Sequence, residues 1–95
     1  MAVMTLSNHV LKATAQGDTF GEWVCLERIV WRGATNATHL IEVNDSGGKA
    51  ILEPRRAGST TADITFEMHG KWANGLDLVD LDSGDQVDFY LRQVA

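Results

Sequence analysis

The chain has one cysteine and one proline in 95 residues. A lone cysteine excludes an internal disulfide, and it is the usage expected of a chain that folds in a reducing cytoplasm. No apolar run approaches the roughly 18–20 residues that a spanning helix needs, so no membrane segment is expected. The opening MAVMTLSNHVLK lacks a basic start followed by a long apolar stretch, so no cleaved leader is expected either. Basic charge is scarce. Eight Lys and Arg stand against thirteen Asp and Glu, for a formal net charge of −5. That balance argues against a nucleic-acid backbone or an anionic membrane surface as the main partner.

Recognisable reaction chemistry is missing too. There is no G-x-S-x-G elbow, and Gly47-Gly48-Lys49 lacks the flanking pattern of a phosphate-binding loop. His9, His39 and His69 stand far apart, with no spacing that suggests zinc. Cys25, between Val24 and Leu26, reads more simply as a small core residue than as a nucleophile. Asp77, Asp80, Asp82, Asp85 and Asp88 crowd the C-terminal region. A calcium loop of the EF-hand type needs an oxygen ligand where Gly84 stands, and no glutamate follows at the right distance. These aspartates read instead as flanks of a solvated turn. The expectation is a non-enzymatic protein with no cofactor and no metal.

What is present is a β pattern. Hydrophobic residues make up 44% and charged residues 22%, which suits one globular domain with a two-layer core. Thr38 to Glu53 reads as strand, turn, strand, with Asn44-Asp45-Ser46-Gly47-Gly48 between two apolar runs. Both faces of this hairpin carry apolar residues. One set, either Ile41, Val43 and Ile51 or Leu40, Ala50 and Leu52, is expected to face the core. Pro54 should end the second strand, because it has no amide hydrogen for a ladder. Arg55 to Thr61 then reads as a polar loop. Ile64, Phe66 and Met68 alternate with Asp63, Thr65, Glu67 and His69, the mark of a strand with one dry face. Gly70 to Gly75 reads as a loop carrying Trp72. Leu76 to Leu81 and Val87 to Leu91 complete the strands, with a turn at Asp82-Ser83-Gly84-Asp85.

Phe20 to Trp31 admits two readings. Phe20, Trp23, Val24 and Glu27 fit a helical spacing. The β-branched and aromatic residues favour a strand. Val24 and Leu26 share one face, while Ile29 and Trp31 share the opposite one, so one bulge near Glu27-Arg28 would turn both pairs inward. We read a bulged strand. Residues 1–19 form an N-terminal arm or edge strand, loosely ordered, and residues 20–95 form the domain. The fold class is all-β: a small antiparallel sandwich or barrel of about seven short strands.

Aromatic and basic residues mark the expected contact surface. Trp31 belongs in the core. Trp72 should be at least half exposed and is the best interface anchor. Tyr90, Arg55 and Arg56 join it as candidate partner-binding residues. Each has a plainer reading, as core packing or as solvated charge.

Several motifs occur in a telling order. Ile29-Val30-Trp31-Arg32-Gly33-Ala34-Thr35 comes first, then the hairpin through Asn44-Asp45-Ser46-Gly47-Gly48-Lys49. Trp72-Ala73-Asn74-Gly75-Leu76 follows, then Leu81-Asp82-Ser83-Gly84 and the tyrosine-bearing Val87 to Leu91. This order resembles small β-rich virion proteins of tailed phages, over about Val24 to Arg92. The resemblance implies a structural protein of the particle, assembled in the host cytoplasm. It implies docking on the major capsid protein or other virion proteins, with homo-oligomerisation possible. A capsid decoration or cement role is the first expectation. A carbohydrate-binding module built on Trp72, Tyr90 and nearby aspartates, or a head–tail or tail connector, is the alternative.

Overall fold

The structure is a computed structural model, and it describes residues 4–32, 40–56, 63–82 and 85–94, the side chains of 5, 7 and 53–56 excepted. Within these residues the chain is all-β. The strands are β1 (Thr5–Ser7), β2 (Val10–Ala13), β3 (Thr19–Arg32), β4 (Leu40–Asn44), β5 (Ala50–Arg56), β6 (Ile64–Leu81) and β7 (Gln86–Val94). They form one sheet in the order β1-β2-β7-β3-β6-β4-β5, and every neighbouring pair is antiparallel. A flat sheet of that width, roughly 29 Å at about 4.8 Å per strand, buries neither face. Here strands from across the order share one core, which includes Leu11, Leu26, Ile29, Trp31, Val43, Leu78 and Phe89. The sheet therefore curls around its own inner face. The Met4 amide, just before β1, donates to the carbonyl of Thr19 at the start of β3 at 2.9 Å, which ties one edge of the sheet back to its middle.

Phe20 to Trp31 is strand, with the predicted bulge. The register of β3 slips between Leu26 and Arg28 against both β6 and β7. Val24, Leu26, Ile29 and Trp31 are all fully buried as a result. Without the slip, Ile29 and Trp31 would face the solvent side.

Three expectations need correction. First, Gly70 to Gly75 is not a loop; it runs inside β6, and Cys25 pairs with Trp72 across it. The strand survives its glycines because it is irregular there. His69 and Gly70, both at positive φ, lie on the β6 side of the same slip, where Leu26 pairs with Lys71 but Arg28 pairs with Glu67. Extra residues in left-handed conformations bend a strand without ending it. β3 and β6 are accordingly long rather than short. Second, Pro54 does not end β5, which continues to Arg56. β5 is the outermost strand, and its register skips a residue between Leu52 and Arg55. An edge position beside a skipped rung is where proline does least harm. Residues 55 and 56 of the loop expected at 55–61 are thus strand, and 57–62 lie outside the described residues. Third, neither proposed set faces the core whole. Ile41 and Val43 do, but their partner on β5 is Leu52, because Val43 pairs with Leu52 and the next pair jumps to Asn44 and Ala50. Ile51 is half-buried and Ala50 exposed.

The expected hairpin turn is held by Asp45. Its Oδ1 accepts from the amides of Gly47 and Lys49, both at 2.9 Å, and its backbone amide donates to the Lys49 carbonyl at 2.8 Å. A short acidic side chain that satisfies its own turn is the physical basis of the Asp preference there. In the segment 1–19, β1 is an edge strand. β2 pairs with β7 and buries Leu11 and Ala13. Asn8 and His9, both at positive φ, make the tight turn between them.

Gly75 is the described glycine where an added Cβ meets backbone most closely. It has φ +78°, and a Cβ there would lie 2.8 Å from the Phe20 carbonyl oxygen and inside the Ser46 hydroxyl. Gly21 has open space around the same position. Gly75→Ala should therefore cost about 1–3 kcal/mol in urea unfolding, while Gly21→Ala stays within about 1 kcal/mol of the parent. Equal effects of the two would contradict this register.

Candidate functional site

The face of β3 opposite the core follows from the pairing. With Val24 and Leu26 inward, Trp23 and Cys25 point outward. On β6 the paired outer residues are Asn74, opposite Trp23, and Trp72, opposite Cys25. Trp23 and Trp72 are therefore diagonal cross-strand neighbours, a spacing of roughly 7–8 Å that aromatic side chains bridge. They are 51% and 46% exposed. Trp72 falls just under the expected half. A groove of about 230 Å³ runs beside the pair, lined by Asp45, Lys49, Ile51, Lys71 and Asn74 among others. The strands give the indoles a stiff base. Cys25, beneath this face, is buried and its thiol donates to the Gly70 carbonyl at 3.2 Å.

A second cluster lies further along the same strands. The Arg32 guanidinium donates to Asp88 from Nε at 2.7 Å, to Asp63 from Nη1 at 2.6 Å and to the Tyr90 hydroxyl from Nη2 at 2.9 Å. The other Asp88 oxygen accepts from Gln86 at 2.7 Å. Arg28 lies over the Tyr90 ring, 5.3 Å from its centroid. The bonds to Asp88 first, and to Tyr90 next, push the Arg32 pKa further above its ordinary value. A raised pKa contributes stability at every pH below the unfolded value, so Arg32 itself adds no pH dependence in the neutral range. Between the two clusters sits the Glu27–Arg92 ion pair, with the Arg92 guanidinium over Gly70.

The structure places the predicted residues as follows. Trp72 stands on the exposed groove. Tyr90 does not join it; Tyr90 is half-buried and held by Arg32 and Arg28. Arg55 and Arg56 lie on β5 by backbone, but their side chains are outside the described residues. The sequence reading weighed Trp23 with the other aromatics but did not choose it as a site residue. Parity was the available signal: once Val24 and Leu26 are inward, Trp23 is outward.

Of the C-terminal aspartates, Asp82, Asp85 and Asp88 are bonded within the fold. Asp85 is buried and accepts from the Trp31 indole at 3.0 Å, and the Asp85 amide donates to the Asp82 carbonyl at 3.1 Å; Ser83 and Gly84 of the expected turn lie outside the described residues. Asp82 accepts from the Leu40 amide at 2.6 Å. Among the described residues, no group of three or more His, Cys, Asp or Glu is placed to hold a metal ion. His39 lies outside the described residues. Among the described residues, no helix is long and apolar enough to cross a membrane.

No family model, no curated protein and no solved structure matches this chain.

The two clusters should respond differently to mutation. Asp88 is almost fully buried and depends on a partly exposed Arg32, whereas Glu27 and Arg92 are both substantially solvated. Arg32→Ala should cost about 2–4 kcal/mol in thermal or urea unfolding, because it strands a buried carboxylate. Arg92→Ala should cost about 1 kcal/mol or less. The reverse order would contradict the assignment of Arg32 as a structural cation.

Proposed function

We propose that this chain is a non-enzymatic docking protein of a tailed-phage virion, a capsid decoration or cement protein that seats on the major capsid protein. The observation that carries the docking part is the Trp23–Trp72 pair. Two tryptophans half exposed on rigid, mutually paired strands do not contribute fully to the core and are poorly placed for solvent. Tryptophan is enriched where partners bind, and it anchors best when its surroundings are preorganised. The virion part rests on the ordered resemblance from Ile29 to Leu91. The fold suits the role. A small curled sheet whose Arg28, Arg32 and Arg92 are held in ion pairs presents a stiff surface at little entropic cost on binding. Many identical sites on a shell turn a modest single contact into a persistent one wherever the module is multivalent.

Two measurements test this reading. Quantitative mass spectrometry of purified particles should find the chain in hundreds of copies; a few to a dozen would assign it to a connector, and absence from particles would remove the virion role. Particles assembled without it should lose thermal or osmotic stability. The chain with Trp23→Ala and Trp72→Ala should fold with stability within about 1 kcal/mol of the parent yet fail to bind those particles, with affinity lowered about 30-fold or more. Unchanged binding by that variant would contradict the site.

A further inference from the structure

The Trp23–Trp72 groove carries charge as well as apolar surface. Lys49 enters it from the β4–β5 turn and Lys71 from β6. Neither lysine makes an ion pair with a described carboxylate, whereas Arg28, Arg32 and Arg92 all do. Among the described residues, the only carboxylate lining the groove is Asp45, and its Oδ1 is already taken by the amides of Gly47 and Lys49. Locally the groove is therefore cationic, in a chain whose formal charge is −5.

We infer that this groove takes an acidic segment of a protein partner, which sets an apolar side chain against the two indoles and a carboxylate against Lys49 and Lys71. This rests on the docking reading above and names the chemistry of its partner. Size supports a side-chain anchor: about 230 Å³ is below the roughly 300–1,000 Å³ of a typical small-molecule pocket. Charge supports the sign. Most of this acidic surface repels an acidic segment, and the two lysines define a described place beside the indoles where it is admitted. Repulsion elsewhere and attraction here together fix the register of docking. Apolar contact with tryptophan supplies most of the affinity, and the lysines supply selectivity.

The test uses the full chain as bait for a displayed library of short random peptides, with an array of neutral and acidic glycans run beside it. The expected result is enrichment of peptides that combine Asp or Glu with a neighbouring large apolar residue. Their affinity should fall about fivefold or more with Lys49→Glu plus Lys71→Glu, and about 30-fold or more with Trp23→Ala plus Trp72→Ala. It should also weaken as salt rises. Enriched peptides without acidic residues, dependent on the tryptophans but not on the lysines, would overturn the acidic partner and leave the docking site standing. Peptides indifferent to the tryptophans would overturn both. Glycan binding lost with the tryptophan variant, without peptide enrichment, would replace the protein partner with a saccharide. No binding to either library would overturn the acidic segment as occupant.

Discussion

The register slip of β3 between Leu26 and Arg28 is the constraint on which the rest of the structure depends. β3 pairs with β7 on one side and β6 on the other, so a change of parity within it changes the face of both neighbours. Before the slip, Val24 and Leu26 go inward and Trp23 is left outside. After it, Ile29 and Trp31 go inward and Arg28 and Arg32 are left outside. One extra residue therefore fills the core from both ends of the strand. It also sorts the outer side into an aromatic end and a charged end. Burying each of these four side chains contributes on the order of 1.5–3 kcal/mol relative to exposure, a large fraction of the stability of a domain this size.

The charged groups that looked like candidate chemistry serve the same frame. Asp85 receives the indole of the largest core side chain, so the acidic turn is coupled to the interior. Asp82 holds the entry of β4, Asp45 its exit, and Asp88 fixes Arg32. A buried carboxylate is costly unless its partners are supplied. Each of these has them, which ties the acidic residues to fold specificity and away from a metal site among the described residues. The lysines at the Trp23–Trp72 groove stand apart from this economy, and that contrast singles the groove out.

Much of the fold was legible from local pattern. Alternation at Ile64, Phe66 and Met68, the Asp-rich turns, and the opposed parities of Val24/Leu26 and Ile29/Trp31 all reflect a period of two acting over short range. What local pattern could not show was where pairing overrides turn chemistry. Gly70 and Gly75 read as loop residues, because sequence alone does not reveal that β3 stays hydrogen-bonded across them. Pro54 read as a stop, because its edge position depends on strand order. Leu52 displaced Ile51 from the core for the same reason: a slip of one rung is set by the partner strand. The candidate site was half legible. Trp72 was visible as an aromatic in polar company, but Trp23 becomes a site residue only when the register places it diagonally opposite. Tyr90 was misleading as a companion of Trp72, since its hydroxyl is taken by Arg32, a residue distant in sequence.

On the docking reading the chain acts by what it presents: Trp23 and Trp72 beside Lys49 and Lys71, which make no ion pair with a described carboxylate. The most direct measurement is hydroxyl-radical footprinting, read by mass spectrometry, of the three tryptophans in the free chain and in the chain bound to purified particles. The account predicts that Trp23 and Trp72 react readily when free and are protected together on the particle, with Trp31 unreactive in both states. Equal reactivity of Trp23 and Trp72 in the free and bound chain would contradict it.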